Sequence, residues 1–207
     1  HKVLQNAAVS GPYVLVGFSI GGLIARLYAY EYPADVVGMV IVDHAFIDVG
    51  SGATQPPVSP GSPSGSSLDS PPVLLSSTPI TLGLEDDRNF SKLPQRDRDL
   101  HTWAMSIHPL RPTEETAAEC FAFIESKTGS QPYPLGSRPL IVIRTNNDLP
   151  AYERLQTKLL LLSRNSRQIQ AARSSHMVII DEPDVVIESI RKVVDEVKKG
   201  RHSDVLP

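Results

Sequence analysis

One run constrains this chain more than any other: Tyr13-Val14-Leu15-Val16-Gly17-Phe18-Ser19-Ile20-Gly21. Tyr13 to Val16 is short, apolar and rich in β-branched residues. Ser10-Gly11-Pro12 bounds it on one side and Gly17 on the other, which is the pattern of a strand. From Ile20 to Tyr32 the apolar residues Leu23, Ile24, Leu27 and Tyr28 recur at helical spacing, and Pro33 ends the run. Ser19 therefore falls at the junction of a strand and a helix. A turn that sharp holds its central residue in a strained backbone conformation and projects the hydroxyl from the C-terminal edge of the sheet. Gly17 and Gly21 flank the serine because a Cβ at either place is expected to crowd the turn or the neighbouring strand. The N-terminus of the helix behind Ser19 favours negative charge. The same pattern also suits a Gly-rich turn that binds an anion or merely packs closely.

Residues 11–43, GPYVLVGFSIGGLIARLYAYEYPADVVGMVIVD, resemble the nucleophile-elbow region of the serine α/β-hydrolase superfamily, in its esterase- and lipase-like branch. The resemblance covers roughly the first 45 and the last 70 residues, and the middle of the chain matches nothing recognisable. It implies an α/β fold: the C-terminal part of an α/β-hydrolase, a mostly parallel sheet flanked by helices, with a helical cap insertion. It also implies Ser19 as nucleophile and the N–H of Ile20 as one oxyanion donor. The other donor normally comes from a loop after an earlier strand. Four strands precede the elbow strand in this superfamily and none is found here. The chain, which opens at His1 inside a helical pattern, is thus expected to be the C-terminal part of a longer protein.

The composition fits one domain with a real core. There are 207 residues, 41% of them hydrophobic and 21% charged. A net charge of −3 argues against nucleic acid or an acidic membrane as the main partner. No apolar stretch approaches the length of a membrane span. Cys120 is the only cysteine, so no disulfide forms within the chain.

Along the chain, His1 to Val9 carries Val3, Leu4, Ala7 and Ala8 on one helical face. Asp35 to Asp43 is a second strand, and the continuous apolar character of Val36 to Val42 within it suits a parallel strand covered on both sides. Residues 1–49 are therefore read as hydrolase core. Residues 50–72 are rich in Ser, Pro and Gly and read as a flexible insertion. Residues 73–135 are read as the helical cap. One helix runs from Phe90 to His108, with Leu93, Leu100, Trp103, Ala104 and Ile107 as its apolar set. A second runs from Thr113 to Lys127, with Ala117, Cys120, Phe121 and Ile124. A loosely packed surface appendage is the alternative. Residues 136–207 return to the core. They comprise a strand over Arg138–Ile143, a helix over Tyr152–Leu162, a short strand over Arg167–Ala171 near the sheet edge, and an amphipathic helix over Pro183–Lys199.

A serine hydroxyl is a poor nucleophile near neutral pH until a positioned imidazole takes its proton. Six histidines are available: His1, His44, His101, His108, His176 and His202. The superfamily places its histidine in the loop after the last strand, just before the last helix, and His176 matches that place. Ser175 stands where a Gly is commoner, and Pro183 follows seven residues on. His101 and His108 fall in the cap, and His44 lies near the sheet edge. For the acid, most of the superfamily uses the loop after the strand matching Leu140–Ile143. Asp148 occupies it, nine positions after Pro139, with Thr145-Asn146-Asn147 in place of the usual Gly-containing turn. Asp43, at the end of the preceding strand, is the alternative acid.

These residues point to a serine hydrolase that cleaves a carboxylic ester, or a related acyl compound, through a Ser-His-Asp triad and an acyl-enzyme. The expected partner is a small-molecule ester or acyl substrate, with Trp103, Phe121 and Phe123 as candidate pocket residues. A serine nucleophile argues against the dehalogenases and epoxide hydrolases of the same fold, which use Asp. No metal-ligand cluster and no phosphate loop are visible, so no metal and no cofactor are expected. Two other readings stand beside it. One is a non-enzymatic ligand-binding or receptor protein on the same fold. The other is an inactive fragment lacking its N-terminal half, whose elbow strand exposes an aggregation-prone edge.

Overall fold

Four parallel strands lie side by side in chain order: β1 (Tyr13–Phe18), β2 (Val36–Val42), β3 (Leu140–Thr145) and β4 (Ser166–Ala171). They belong to a computed structural model that describes residues 1–44, 90–107, 122–128, 132–146 and 150–203. The helices are α1 (Lys2–Asn6), α2 (Ile20–Glu31), α3 (Gln95–Ile107), α4 (122–128), α5 (Pro150–Lys158), α6 (Val178–Asp181) and α7 (Pro183–Ser203).

The side-chain period of a strand divides the core in two. Met39 and Ile41 of β2 and Leu140 and Val142 of β3 point to one face, where Ala25 and Ala29 of α2 and Leu159 and Leu162 cover them. Val40, Val42, Ile141 and Ile143 point to the other, against Val178 of α6 and Val186 and Val193 of α7. Both faces are buried, which is why β2 and β3 read as unbroken apolar runs. Helix α7 approaches β2 so closely that a Cβ on Gly38 would lie 2.6 Å from Val193 Cγ1.

The register sets the position of everything that follows the strands. Phe18 pairs with Val42, Val42 with Ile143, and Thr145 with Ala171. All four strands run the same way, so their carboxyl ends reach one edge of the sheet. The hydrogen bonding extends one residue past two of those ends, from Ser19 N to Val42 O (2.9 Å) and from Asp43 N to Ile143 O (2.7 Å).

Several expected elements change at their borders. The helix expected from Phe90 is a 3₁₀ turn over Phe90–Lys92 followed by α3 from Gln95. Pro94 separates them, because proline disfavours helical backbone in the residue before it; its carbonyl accepts the Asp97 and Arg98 N–H groups. Leu100 and Trp103, from the expected apolar set of this helix, are exposed, Trp103 by 60%. The first helix contracts to the five residues of α1 and buries none of them, consistent with so short a segment lacking a packed face. Strand β3 runs to Thr145, two residues beyond the expected end, and helix α5 begins at Pro150 and tightens into a 3₁₀ turn over Leu159–Leu162. The Ser/Pro/Gly-rich insertion over 50–72, the residues Ala117, Cys120 and Phe121, and Asp148 lie outside the described residues.

Candidate active site

Ser19 stands between β1 and α2 with φ 52° and ψ −122°. A non-glycine residue in that region is held there by its surroundings. Gly17 makes the turn possible: a Cβ there would lie 2.4 Å from Gly21 O and 2.6 Å from Gly22 Cα. The second glycine requirement differs from the expected one. A Cβ on Gly21 meets no described atom within 4 Å, whereas one on Gly22 would lie 2.8 Å from His44 Cδ2 and 3.1 Å from Ile41 Cγ2. The close approach is thus between α2 and the end of β2, one residue further along. The buried face of α2 is Gly22, Leu23, Ala25, Arg26 and Ala29, and Ile24 faces outward. The Ile20 N–H opens α2, and first-turn N–H groups have no acceptor within their own helix.

The loop after β4 brings His176 back over this turn. Its Nε2 lies 3.0 Å from Ser19 Oγ, and its Nδ1 lies 2.6 Å from Asp43 Oδ2. Phe18, the residue before the serine, packs its ring 4.8 Å from the imidazole. The Asp43 side chain is only 6% exposed, that of His176 48%. A carboxylate only accepts, so Nδ1 carries the proton given to Asp43 and Nε2 is left to accept from the serine hydroxyl. An imidazole held in that tautomer can take the proton of an attacking serine.

Of the residues singled out in the sequence, the structure therefore brings Ser19, His176 and Asp43 into one hydrogen-bonded chain. Asp148 lies outside the described residues. Asp43 follows β2 with φ +42°, a left-handed conformation that aspartate tolerates better than most residues. Its other oxygen, Oδ1, accepts from Thr145 Oγ1 at 3.2 Å and from the Tyr152 hydroxyl. Tyr152 OH in turn accepts the Thr145 N–H at 3.2 Å. Burial, together with the charge and hydrogen bond of Asp43, pushes the Tyr152 pKa well up, so its hydroxyl stays protonated.

The loop that carries His176 is anchored by two acids at the start of the last helical stretch. Glu182, buried, accepts from Arg173 N (2.6 Å), Ser174 Oγ (2.9 Å) and Arg173 Nε (3.2 Å). Burial acts to raise its pKa. The Arg173 backbone, the Ser174 hydroxyl and the Arg173 guanidinium outweigh that and lower it. Asp181 accepts from Ser175 N and Ser175 Oγ, both at 3.0 Å. On the opposite side, buried Arg26 of α2 reaches α4. It donates to Glu125 through both terminal nitrogens and to Thr128 Oγ1 at 3.0 Å, and it lies 3.4 Å from His44 Nε2. His44, beside Asp43, is buried, and its carbonyl accepts from Gln156 Nε2 at 3.1 Å.

No sequence motif singles out Tyr152, Thr145 or the two anchoring acids. Tyr152 and Thr145 act on a residue distant in the chain, 109 and 102 positions from Asp43, whereas Asp181 and Glu182 act on Ser175, Ser174 and Arg173, six to nine positions away. The one local signal was the Asp181-Glu182-Pro183 triplet ahead of an amphipathic helix. Among the described residues, no group of three or more His, Cys, Asp or Glu could hold a metal ion, and no helix is long and apolar enough to cross a membrane.

Comparison with known proteins bears on the fold. The alpha/beta hydrolase family model matches residues 2–189. An uncharacterized protein of Bacillus subtilis (strain 168), YqjL, is 26% identical over 191 residues, covering 89% of this chain and 58% of YqjL. A candidate lipase from Acinetobacter baumannii AYE superposes with a TM-score of 0.55 at 16% identity, over 96% of this chain and 66% of its own. An alpha/beta superfamily hydrolase from Oenococcus oeni PSU-1 gives 0.51 at 16% identity, over 95% and 71%. The chain thus spans less than two thirds of YqjL and of the Acinetobacter protein. With the family model matching residues 2–189 of the chain and the fold shared with these structures, the chain belongs to the alpha/beta hydrolase family.

Proposed function

We propose that this chain carries the acyl-transfer centre of a serine hydrolase, with Ser19 as nucleophile, His176 as general base and acid, and Asp43 as the acid that orients it. The observation that carries this reading is the unbroken chain Ser19 Oγ, His176 Nε2, His176 Nδ1, Asp43 Oδ2, at 3.0 and 2.6 Å. Asp43 takes the role for which Asp148 is the other candidate.

The chemistry follows from the geometry. Ser19 Oγ bonds to the substrate carbonyl carbon while its proton passes to His176 Nε2. The carbonyl electrons move to oxygen, and the Ile20 N–H, at the positive end of α2, supports the oxyanion. Asp43 stabilises the imidazolium formed in this step. The oxyanion then collapses, the bond to the leaving alkoxide breaks, and His176 protonates it. Water attacks the acyl-enzyme by the same route and releases the carboxylic acid with Ser19 restored. A carboxylic ester is the proposed substrate class, because its leaving group needs far less help than the amine of an amide. The region of α3 and α4 is the proposed cap. Trp103 and Phe123, 60% and 57% exposed, offer it apolar side chains, and the Arg26–Glu125 ion pair ties α4 to the helix behind the serine.

The test is labelling by a fluorophosphonate probe, on this chain and on Ser19→Ala. Labelling that disappears in the variant identifies Ser19 as an activated nucleophile and justifies a panel of esters. Labelling that persists in the variant refutes Ser19. A chain that takes no label but binds a small apolar ligand supports the binding-protein reading instead.

A further inference from the structure

We propose that Tyr152 and Thr145 are positioning residues that fix the Asp43 carboxylate in the plane its bond to His176 requires. The inference rests on the Ser19–His176–Asp43 reading above. A carboxylate on a loop rotates readily, since the terminal torsion of aspartate has a broad profile. Asp43 needs restraint for a second reason, its left-handed backbone at φ +42° just beyond β2.

Both oxygens of Asp43 are nonetheless occupied. Oδ2 accepts from His176 Nδ1, and Oδ1 accepts from the hydroxyls of Tyr152 and Thr145. The direction of the Tyr152 bond is fixed by its partner: a carboxylate only accepts, so the Tyr152 hydroxyl donates to Asp43. The Tyr152 oxygen accepts the Thr145 N–H at 3.2 Å and lies 3.1 Å from Thr145 Oγ1. Thr145 contributes twice, as the backbone donor that orients Tyr152 and as a hydroxyl donor to Asp43. It can do so because β3 extends to Thr145, beside the end of β2. Tyr152 arrives from α5, on the far side of the 146–150 connection. A turn aspartate with no further task needs one local acceptor bond, not two hydroxyls from two separate elements.

The experiment reads two quantities on the full chain. The first is the low-field proton resonance of His176 Nδ1–H in the unreacted protein. The second is fluorophosphonate inactivation, separated into KI and kinact. Tyr152→Phe is expected to shift the resonance upfield or broaden it away, and to lower kinact about 10- to 100-fold with KI within about twofold, the factor associated with one hydrogen bond to a charged group. Thr145→Ser, which keeps the hydroxyl, is expected to behave as the unsubstituted chain, and Thr145→Val as a milder form of Tyr152→Phe. A resonance and kinact unchanged in Tyr152→Phe would overturn the proposal. Asp43→Asn separates it from the reading beneath it. Loss of the resonance in Asp43→Asn but not in Tyr152→Phe sinks only the positioning role. A resonance that survives Asp43→Asn, or that is absent from the unsubstituted chain, sinks both. The resonance needs no reaction, so it decides the question even where Ser19 takes no label.

Discussion

Replacing Asp43 by Asn is the most informative single change. Asparagine keeps the size of the side chain and leaves an oxygen for the Tyr152 and Thr145 hydroxyls, so the end of β2 should stay folded. What changes is the group facing His176 Nδ1 at 2.6 Å. With the carbonyl oxygen held by the two hydroxyls, an NH₂ group faces the ring, and it can only donate. Nδ1 must then become the acceptor and the ring proton moves to Nε2. Nε2 faces Ser19 Oγ at 3.0 Å, and a protonated Nε2 cannot take the serine proton. The imidazolium formed in the reaction also loses the charge beside it. In a serine protease triad the same change costs about 10⁴-fold. A loss of about 10³- to 10⁴-fold here corresponds to about 4–5.5 kcal/mol of transition-state stabilisation. The assay is the rate of fluorophosphonate inactivation, or of hydrolysis of an activated ester, in Asp43→Asn and Asp148→Asn side by side, with thermal melting as the control for folding. A folded Asp43→Asn protein within about threefold of the starting rate, together with a large loss in Asp148→Asn, would refute the assignment of Asp43.

Two further expectations concern the frame around the site. Glu182 has a pKa below its ordinary 4.5 in the folded chain, so its bonds to Arg173 and Ser174 contribute stability that is complete above that value and lost as pH falls through the lower folded value. Glu182→Gln should therefore lower stability at neutral pH by about 1–3 kcal/mol and flatten its dependence on acid below pH 4.5, as read by urea unfolding at several pH values; an acid dependence equal to that of the unsubstituted chain would count against the anchor. Glu125→Ala leaves the buried Arg26 guanidinium without its carboxylate, and the expected loss is about 3 kcal/mol, the low end for a broken buried pair because Glu125 keeps 31% of its side chain exposed. Calorimetry checks it, and a change below about 0.5 kcal/mol would mean that water replaces the carboxylate.

How much of this was legible in the sequence depends on the distance over which each feature acts. The elbow was legible because its parts are contiguous: an apolar strand, a serine flanked by small residues, and a helical repeat within about 20 residues. Even there the reason for the second glycine was misplaced. Gly22, not Gly21, lies against Ile41 and His44, and these come from another strand and the turn that follows it. The borders of β3 and α3 moved for similar reasons. Pairing with β4 carries β3 on to Thr145, and Pro94 outweighs the apolar spacing that began at Phe90.

The amino-acid order by itself determined the local and periodic features: a parallel α/β sheet from the unbroken apolar strands, a serine at a strand-to-helix turn, and a histidine loop ahead of an amphipathic last helix. The tertiary structure decided which side chains meet. Parallel strands in register bring Phe18, Val42 and Thr145 to one edge, so residues 19, 43, 145 and 176 converge although up to 157 positions separate them. Periodicity reports which face of an element is apolar, and it carries no information on how far one strand slides past its neighbour. That register carries Asp43 to the edge where the loop after β4 returns, 2.6 Å from a histidine 133 positions away in the chain.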